Sequence, residues 1–351
     1  MRYRKLGRTG LEVSEYALGT MMFGSAGNPD HEACARILHA ALDRGVNLID
    51  TADMYSAGES EEIVGKALKG HRDDVVLATK GHYPLAEGPN RSGNSRRHLT
   101  RAVEASLRRL DTDHVDLYQI HRPDWDTDLT ETLATLTDLQ QAGKIGVFGC
   151  SVYPAFELVE AQRIADRHGL RPFRTEQPPY NLLARGIERD VLVVTERQGM
   201  GVLTWSPLAW GFLTGRYRRG DTTTEPGARA RLRPEWFDPA DPVTARKLDA
   251  VEELIKVAAD LGSTLPALAA AFPLSHRAVS AVLLGPRTED QLTSILDAPA
   301  RLDDAALDRI DEIVPPGTNV YEPTAPAPPP WLADPSRRRY VEPPKPNAPW
   351  R

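Results

Sequence analysis

Short apolar runs recur along the chain at "YALGT" (16–20), "VNLID" (46–50), "VVLATK" (75–80), "VDLYQIH" (115–121), "IGVFGCS" (145–151), "FRTEQ" (173–177), "GVLTWS" (201–206) and "SAVLLG" (280–285). Most are continuously apolar rather than alternating, as expected of strands buried on both faces of a parallel sheet. Between them lie stretches of helical period. Leu99, Val103, Ser106, Leu107 and Leu110 follow a cap at Asn94 or Ser95, and Leu248, Val251, Leu254, Ile255, Ala258 and Leu261 are closed by Gly262. Strand and helix alternating eight times predict an α/β protein, a (β/α)8 TIM barrel over residues 1–315. A doubly wound sheet is the alternative, but the first strand is not followed by the Gly-rich GxGxxG turn that such a sheet uses for a dinucleotide.

Two segments break the rhythm. A long loop after the seventh strand, 207–242, has the length of a lid or binding loop. Residues 316–351 form a C-terminal tail too rich in proline for helix or central strand. Its Trp331, Tyr340 and Trp350 leave two readings open, docking on the barrel or disorder.

Composition narrows the class. The 351 residues are 41% hydrophobic and 26% charged with a net charge of −6, an ordinary balance for a globular protein that attracts neither nucleic acid nor an anionic membrane. The two cysteines, Cys34 and Cys150, have neither CxxC nor metal-finger spacing, so no disulfide framework and no metal site are expected. No apolar run approaches the roughly 20 residues of a membrane helix, and the N-terminus has no apolar signal core, which makes the cytoplasm the expected location.

Polar residues fall where a barrel places its chemistry, at the C-terminal strand ends. "VNLIDTADMYSAGESEE" (46–62) puts Asp50 at the end of strand two and Tyr55 just after it; Lys80 ends strand three and His121 ends strand four. Each has a plain structural reading, as turn cap, packing, solvated strand end or satisfied core histidine. Together on successive strands they predict a site. A phenol with a pKa near ~10 is a weak acid unless a cation stabilises its phenolate. Lys80 supplies the cation, Asp50 keeps it charged, and His121 polarises an oxygen held against Tyr55. Such a site protonates a carbonyl oxygen, and the hydride for the carbon calls for a nicotinamide. Asp53 is expected to brace the turn, and Ser60 to cap the next helix.

Several long segments, "RKLGRTGLEVSEYALGTMMFG", "GVNLIDTADMYSAGESEEIVGKAL", "DVVLATK", "SLRRLDTDHVDLYQIHRPD", "LQQAGKIGVFGCS", "EQPPYNLLAR", "GVLTWSPLAWGFLTGRY" and "LLGPRTEDQL", resemble the aldo-keto reductase superfamily, its bacterial and channel-β-subunit-like branches. The resemblance covers about residues 1–315. It implies an NADPH-dependent reductase of an aldehyde or ketone, with Asp50, Tyr55, Lys80 and His121 as the catalytic tetrad and Tyr55 as general acid. It places Gly19, Thr20, Met21 and Asp50 near the nicotinamide ribose, and Ser151 and Gln177 on the carboxamide. Trp205 stacks on the ring, and Ser206, Leu208, Gly211, Leu213 and Gly215 surround the pyrophosphate. Arg216 and Arg218 are further phosphate candidates. Gly285, Pro286, Arg287 and Gln291 match the adenosine end, where Arg287 favours a 2′-phosphate and so NADPH over NADH. Val152, Ser294 and Ile295 depart from the family pattern and remove polar cofactor contacts. Met21, Phe23, Met54, Tyr83, Trp125 and Trp210 are candidates for an apolar substrate pocket, suited equally to a sugar face or a small aromatic aldehyde. A small carbonyl compound is the expected partner, with homo-oligomerisation open. Alternatives are a ketoreductase of a deoxysugar or natural-product intermediate, a cofactor-sensing regulatory subunit, and, more weakly, a lyase using Lys80 as a Schiff base.

Overall fold

The structure is a computed structural model, described at residues 1–220, 227, 233–298 and 300–322. The chain opens with an antiparallel hairpin, β1 (Tyr3–Lys5) and β2 (Glu12–Ser14). Eight parallel strands then close a barrel in chain order: β3 (Tyr16–Gly19), β4 (Leu48–Asp50), β5 (Val76–Gly81), β6 (Val115–Ile120), β7 (Ile145–Cys150), β8 (Thr175–Glu176), β9 (Gly201–Thr204) and β10 (Val279–Leu284), which pairs back with β3. Six of the eight lie inside the apolar run that predicted them, and β5 and β10 overstep theirs by one residue each, at Gly81 and Val279.

Helices cover the outside of the barrel. They are α1 (His31–Asp43), α2 (Glu59–Ala67), α3 (Arg96–Leu110), α4 (Leu129–Gln141), α5 (Ala155–His168), α6 (Val191–Gln198), α7 (Pro242–Asp260), α8 (Leu265–Ala271), α9 (Glu289–Leu296) and α10 (Asp304–Ile313). The Ser95 hydroxyl caps α3 by accepting from the His98 amide, as the sequence suggests. Helix α2 differs from expectation. It starts at Glu59 behind Gly58 (φ 100°), and Ser60 lies inside it with its hydroxyl turned to Thr20 instead of to the helix end. Gly58 is required twice over, by its left-handed φ and by the Arg109 side chain 2.8 Å from where a Cβ would stand.

The two-residue period of the strands sorts the core into two layers. Leu18, Ile49, Leu77, Tyr118 and Phe148 point outward into the layer beneath the helices. Ala17, Leu48, Val76, Ala78, Leu117, Leu203, Ala281 and Leu283 point into the barrel, where Leu6 and Val13 of the hairpin join them as a plug. Small residues alternate with large ones inside, so the lumen is filled and only its far end is left for polar groups. Residues 316–322 pack along the loop after β8: the Arg185 amide donates to Thr318 O, the Val320 amide to Leu183 O and the Gly186 amide to Asn319 Oδ1. Trp331, Tyr340 and Trp350 lie outside the described residues. Among the described residues no single helix is long and apolar enough to cross a membrane.

Candidate active site

Strand parity builds the site. Leu48 faces the lumen, so Asp50 does too; Ala78 and Leu117 carry the same parity on to Lys80, Gln119 and His121. These side chains form the last inward layer at the C-terminal end of the barrel. Lys80 is buried and spends its ammonium protons on three acceptors: Asp50 Oδ2 at 2.5 Å, Thr51 O at 2.9 Å and the Tyr55 hydroxyl at 3.3 Å. Asp50 is held from its other side by the Gln177 amide at 2.9 Å and the Gln119 amide at 3.4 Å. The Tyr55 and His121 rings meet edge-on at 5.8 Å, and the Tyr83 ring stands 5.1 Å from that of His121.

The backbone that presents Tyr55 is strained. Ser56 (φ 47°), Ala57 (φ 56°) and Gly58 (φ 100°) follow it in succession with left-handed dihedrals. Ser56 holds this turn by donating from its hydroxyl to Phe23 O at 2.8 Å and accepting from the Ala26 amide.

Burial decides the protonation of each group. Burial alone would push Lys80 down, but Asp50 and the Tyr55 hydroxyl more than offset it, so the ammonium is held above its ordinary value. Burial pushes Tyr55 up, against the pull of Lys80. The phenol is therefore fully protonated in the resting site, the reverse of the lowered value expected from the lysine alone. Burial, with the charges of Lys80 and Arg122, drives His121 well below its usual range, and its Nδ1 has no hydrogen-bond partner. It is a neutral imidazole.

Asp53 does not brace the turn. Its carboxylate is buried with neither oxygen hydrogen-bonded, and burial beside Glu61 raises it to about 7. Its backbone amide donates to Lys80 O instead.

The other sequence candidates divide by accessibility. Gly19, Met21, Met54, Tyr83, Trp125, Trp205, Ser206, Leu208, Trp210 and Gly211 keep exposed surface, as do Gly215, Arg216, Gly285, Arg287 and Gln291. Phe23 is fully enclosed in the core and offers no pocket surface. Leu213 is also fully buried, which leaves only its backbone for a ligand, and the enclosed Thr20 hydroxyl accepts from Ser60. Ser151 donates to Gln177 O, and Trp205 Nε1 donates to the same oxygen. Arg218 is committed to Glu252 through both ends of its fork, whereas Arg216 and Arg287 have no carboxylate partner among the described residues. Gln291 accepts from the Arg287 amide and fixes the adjacent turn. Val152 sits at φ 60°, a left-handed conformation unusual for a β-branched residue.

Sequence reading did not find Gln119 or Glu176. Gln119 could have been reached through its parity with His121. Glu176 points outward beneath the site, accepting from Cys150 Sγ and from the Tyr153 amide, so it carries the loop that contains Ser151 and Val152.

The Aldo/keto reductase family description matches residues 16–315. The chain belongs to the aldo/keto reductase family. It is 36% identical over 328 residues to the uncharacterized oxidoreductase YrpG of Bacillus subtilis, covering 90% of this chain and 96% of that protein. It is 35% identical over 322 residues to a probable voltage-gated potassium channel subunit beta of Oryza sativa, covering 90% and 97%. A putative channel subunit beta of Schizosaccharomyces pombe is also 35% identical, over 327 residues, covering 89% and 93%. Membership in the aldo/keto reductase family makes an oxidoreductase with a nicotinamide cofactor the general expectation.

The structure is suited to such a cofactor. The loop after β9 puts Ser206, Ala209, Trp210, Gly211 and Gly215 at positive φ, a backbone that turns repeatedly beside the tetrad without bulk at its glycines. A Cβ at Gly285 would meet no atom within 4 Å, so the turn after β10 is open as well. The guanidinium groups of Arg216 and Arg287, which have no carboxylate partner among the described residues, supply positive charge near these two turns.

Proposed function

We propose that the protein is an NADPH-dependent reductase that converts an aldehyde or ketone to an alcohol. The observation that carries this reading is the Lys80 ammonium, which donates to Asp50 at 2.5 Å and to the Tyr55 hydroxyl at 3.3 Å within one buried cluster. A lysine tied to a carboxylate alone would be a structural ion pair. A lysine that also reaches a protonated phenol has a partner whose negative charge it can absorb.

Reduced nicotinamide, when bound, supplies the hydride. Tyr55 donates its proton to the carbonyl oxygen as the carbon accepts that hydride, leaving the alcohol as product and a phenolate on Tyr55. Lys80 stabilises this phenolate, and solvent returns the proton before the next turnover. Asp50 keeps Lys80 charged, while Gln119 and Gln177 keep Asp50 oriented. The neutral His121 donates a hydrogen bond to the carbonyl oxygen without adding a second positive charge beside Lys80. Arg287 would hold the 2′-phosphate, which supports NADPH over NADH, and Arg216 would add a phosphate contact that both cofactors share. Ser151 and Gln177 would receive the carboxamide.

The names of the channel-subunit relatives support a second reading, a cofactor-sensing regulatory protein with little turnover. Purified protein mixed with NADPH and a panel of aldehydes, ketones and keto-sugars separates the two. The reductase reading expects carbonyl-dependent loss of NADPH absorbance, and tight cofactor binding without turnover would favour regulation.

A further inference from the structure

Lys247, on α7, belongs to none of the groups above, yet it is only 4% exposed. Its ammonium donates to Trp236 O at 2.8 Å, lies 4.0 Å from the centre of the Phe212 ring and 5.6 Å from that of Tyr321. Burial brings it down to about 8, so it stays charged at neutral pH. Asp241, the acidic group acting on it, is spent on capping α7 through the Thr244 amide and hydroxyl. Among the described residues Lys247 has no ion pair, and a buried cation is then costly unless other groups replace water. Here two aromatic faces and one carbonyl do so.

The three groups that cage Lys247 come from three separate segments. Phe212 belongs to the turn after β9, Trp236 to the 3-10 turn Pro234–Phe237, and Tyr321 to the residues that follow α10. Phe237 strengthens the junction by stacking on Phe212 at 4.6 Å and 6°. The contact at Trp236 continues toward the tetrad. Trp236 packs edge-on against Trp210 at 5.3 Å, Trp210 against Trp205 at 6.5 Å, and Trp205 Nε1 donates to Gln177 O. The Gln177 side chain then donates to Asp50.

We infer that Lys247 is a positioning residue for the mouth of the barrel: it fixes the outermost of three tryptophans that wall the site and so retains bound cofactor. This rests on the nicotinamide reading above. The row of indoles runs from Trp236 through Trp210 to Trp205 beside Gln177, and Lys247, together with the Thr244 hydroxyl at 3.0 Å, holds the Trp236 carbonyl at its outer end.

The test is NADPH release from the full-length protein, measured by stopped-flow chase with tryptophan-to-nicotinamide energy transfer as the signal. Lys247→Met should speed release about tenfold, equivalent to about 1.4 kcal/mol, and Lys247→Arg should recover most of the retention. The association rate should change less than about twofold, because the wall acts after docking. A general loss of packing would not be rescued by arginine or confined to release. If Lys247→Met fails to fold, Trp236→Ala takes its place, since that side chain is 36% exposed, and the same acceleration is expected. Unchanged release in either folded variant overturns the inference. Absence of NADPH binding by the unmodified protein overturns the nicotinamide reading itself, a result distinct from unchanged release.

Discussion

Lys80 and Asp50 meet at 2.5 Å with side chains 1% and 2% exposed, so the pair is isolated from bulk water and its charge is directed to the Tyr55 hydroxyl. Removing one partner strands the other. Asp50→Asn is expected to cost about 3–5 kcal/mol of stability, as in other broken buried pairs. It should lower kcat by about a hundredfold or more through the loss of an oriented acid system. Denaturant unfolding and steady-state rates with a single aldehyde check both.

Val152 holds a left-handed backbone that its branched side chain opposes. Asparagine tolerates that region, so Val152→Asn should stabilise the protein by about 1 kcal/mol, seen as a higher urea midpoint with unchanged slope. A lower midpoint would mean that the valine's packing outweighs its strain.

Asp53 gives a pH signature. Its folded-state value, about 7, lies above the ordinary aspartate value of 3.8, so between these the folded protein keeps a proton that the unfolded chain has released. Stability contributed by this site is present at low pH and lost as pH rises through that window, at up to about 1.4 kcal/mol per unit. Asp53→Asn removes the liability. Its stability relative to the unmodified protein should therefore improve from pH 5 to pH 8; a constant difference would show that Asp53 is ionised throughout.

Arg287 is exposed and free of carboxylates among the described residues. Arg287→Ala should raise the KM for NADPH about tenfold, one charge-assisted contact, and leave the KM for NADH nearly unchanged. Equal effects on both cofactors would remove the 2′-phosphate from its role.

Much of this was legible in the sequence because a parallel barrel writes each strand as a bounded apolar run. Asp50, Lys80 and His121 could be seen as interruptions at the ends of those runs. The hairpin Tyr3–Lys5 and Glu12–Ser14 was missed, since its strands are only three residues long, although the glycines at 7 and 10 mark a turn between two short runs. Gln119 was hidden as a polar residue inside a strand, meaningful only once Asp50 is known to lie across the lumen. Ser60 looked like a cap from spacing alone, but the left-handed turn at 56–58 moved the helix start so that its hydroxyl faces Thr20. Lys247 could not be read at all, because Phe212, Trp236 and Tyr321 converge on it from distant segments.

The central claim is that Tyr55 donates the proton that completes carbonyl reduction, and Tyr55→Phe tests it most directly. With NADPH affinity measured alongside by fluorescence, the variant should still bind cofactor but reduce an aldehyde about 100-fold or more slowly, the scale of a lost general acid. Cofactor binding together with full reductase activity in Tyr55→Phe would contradict the account.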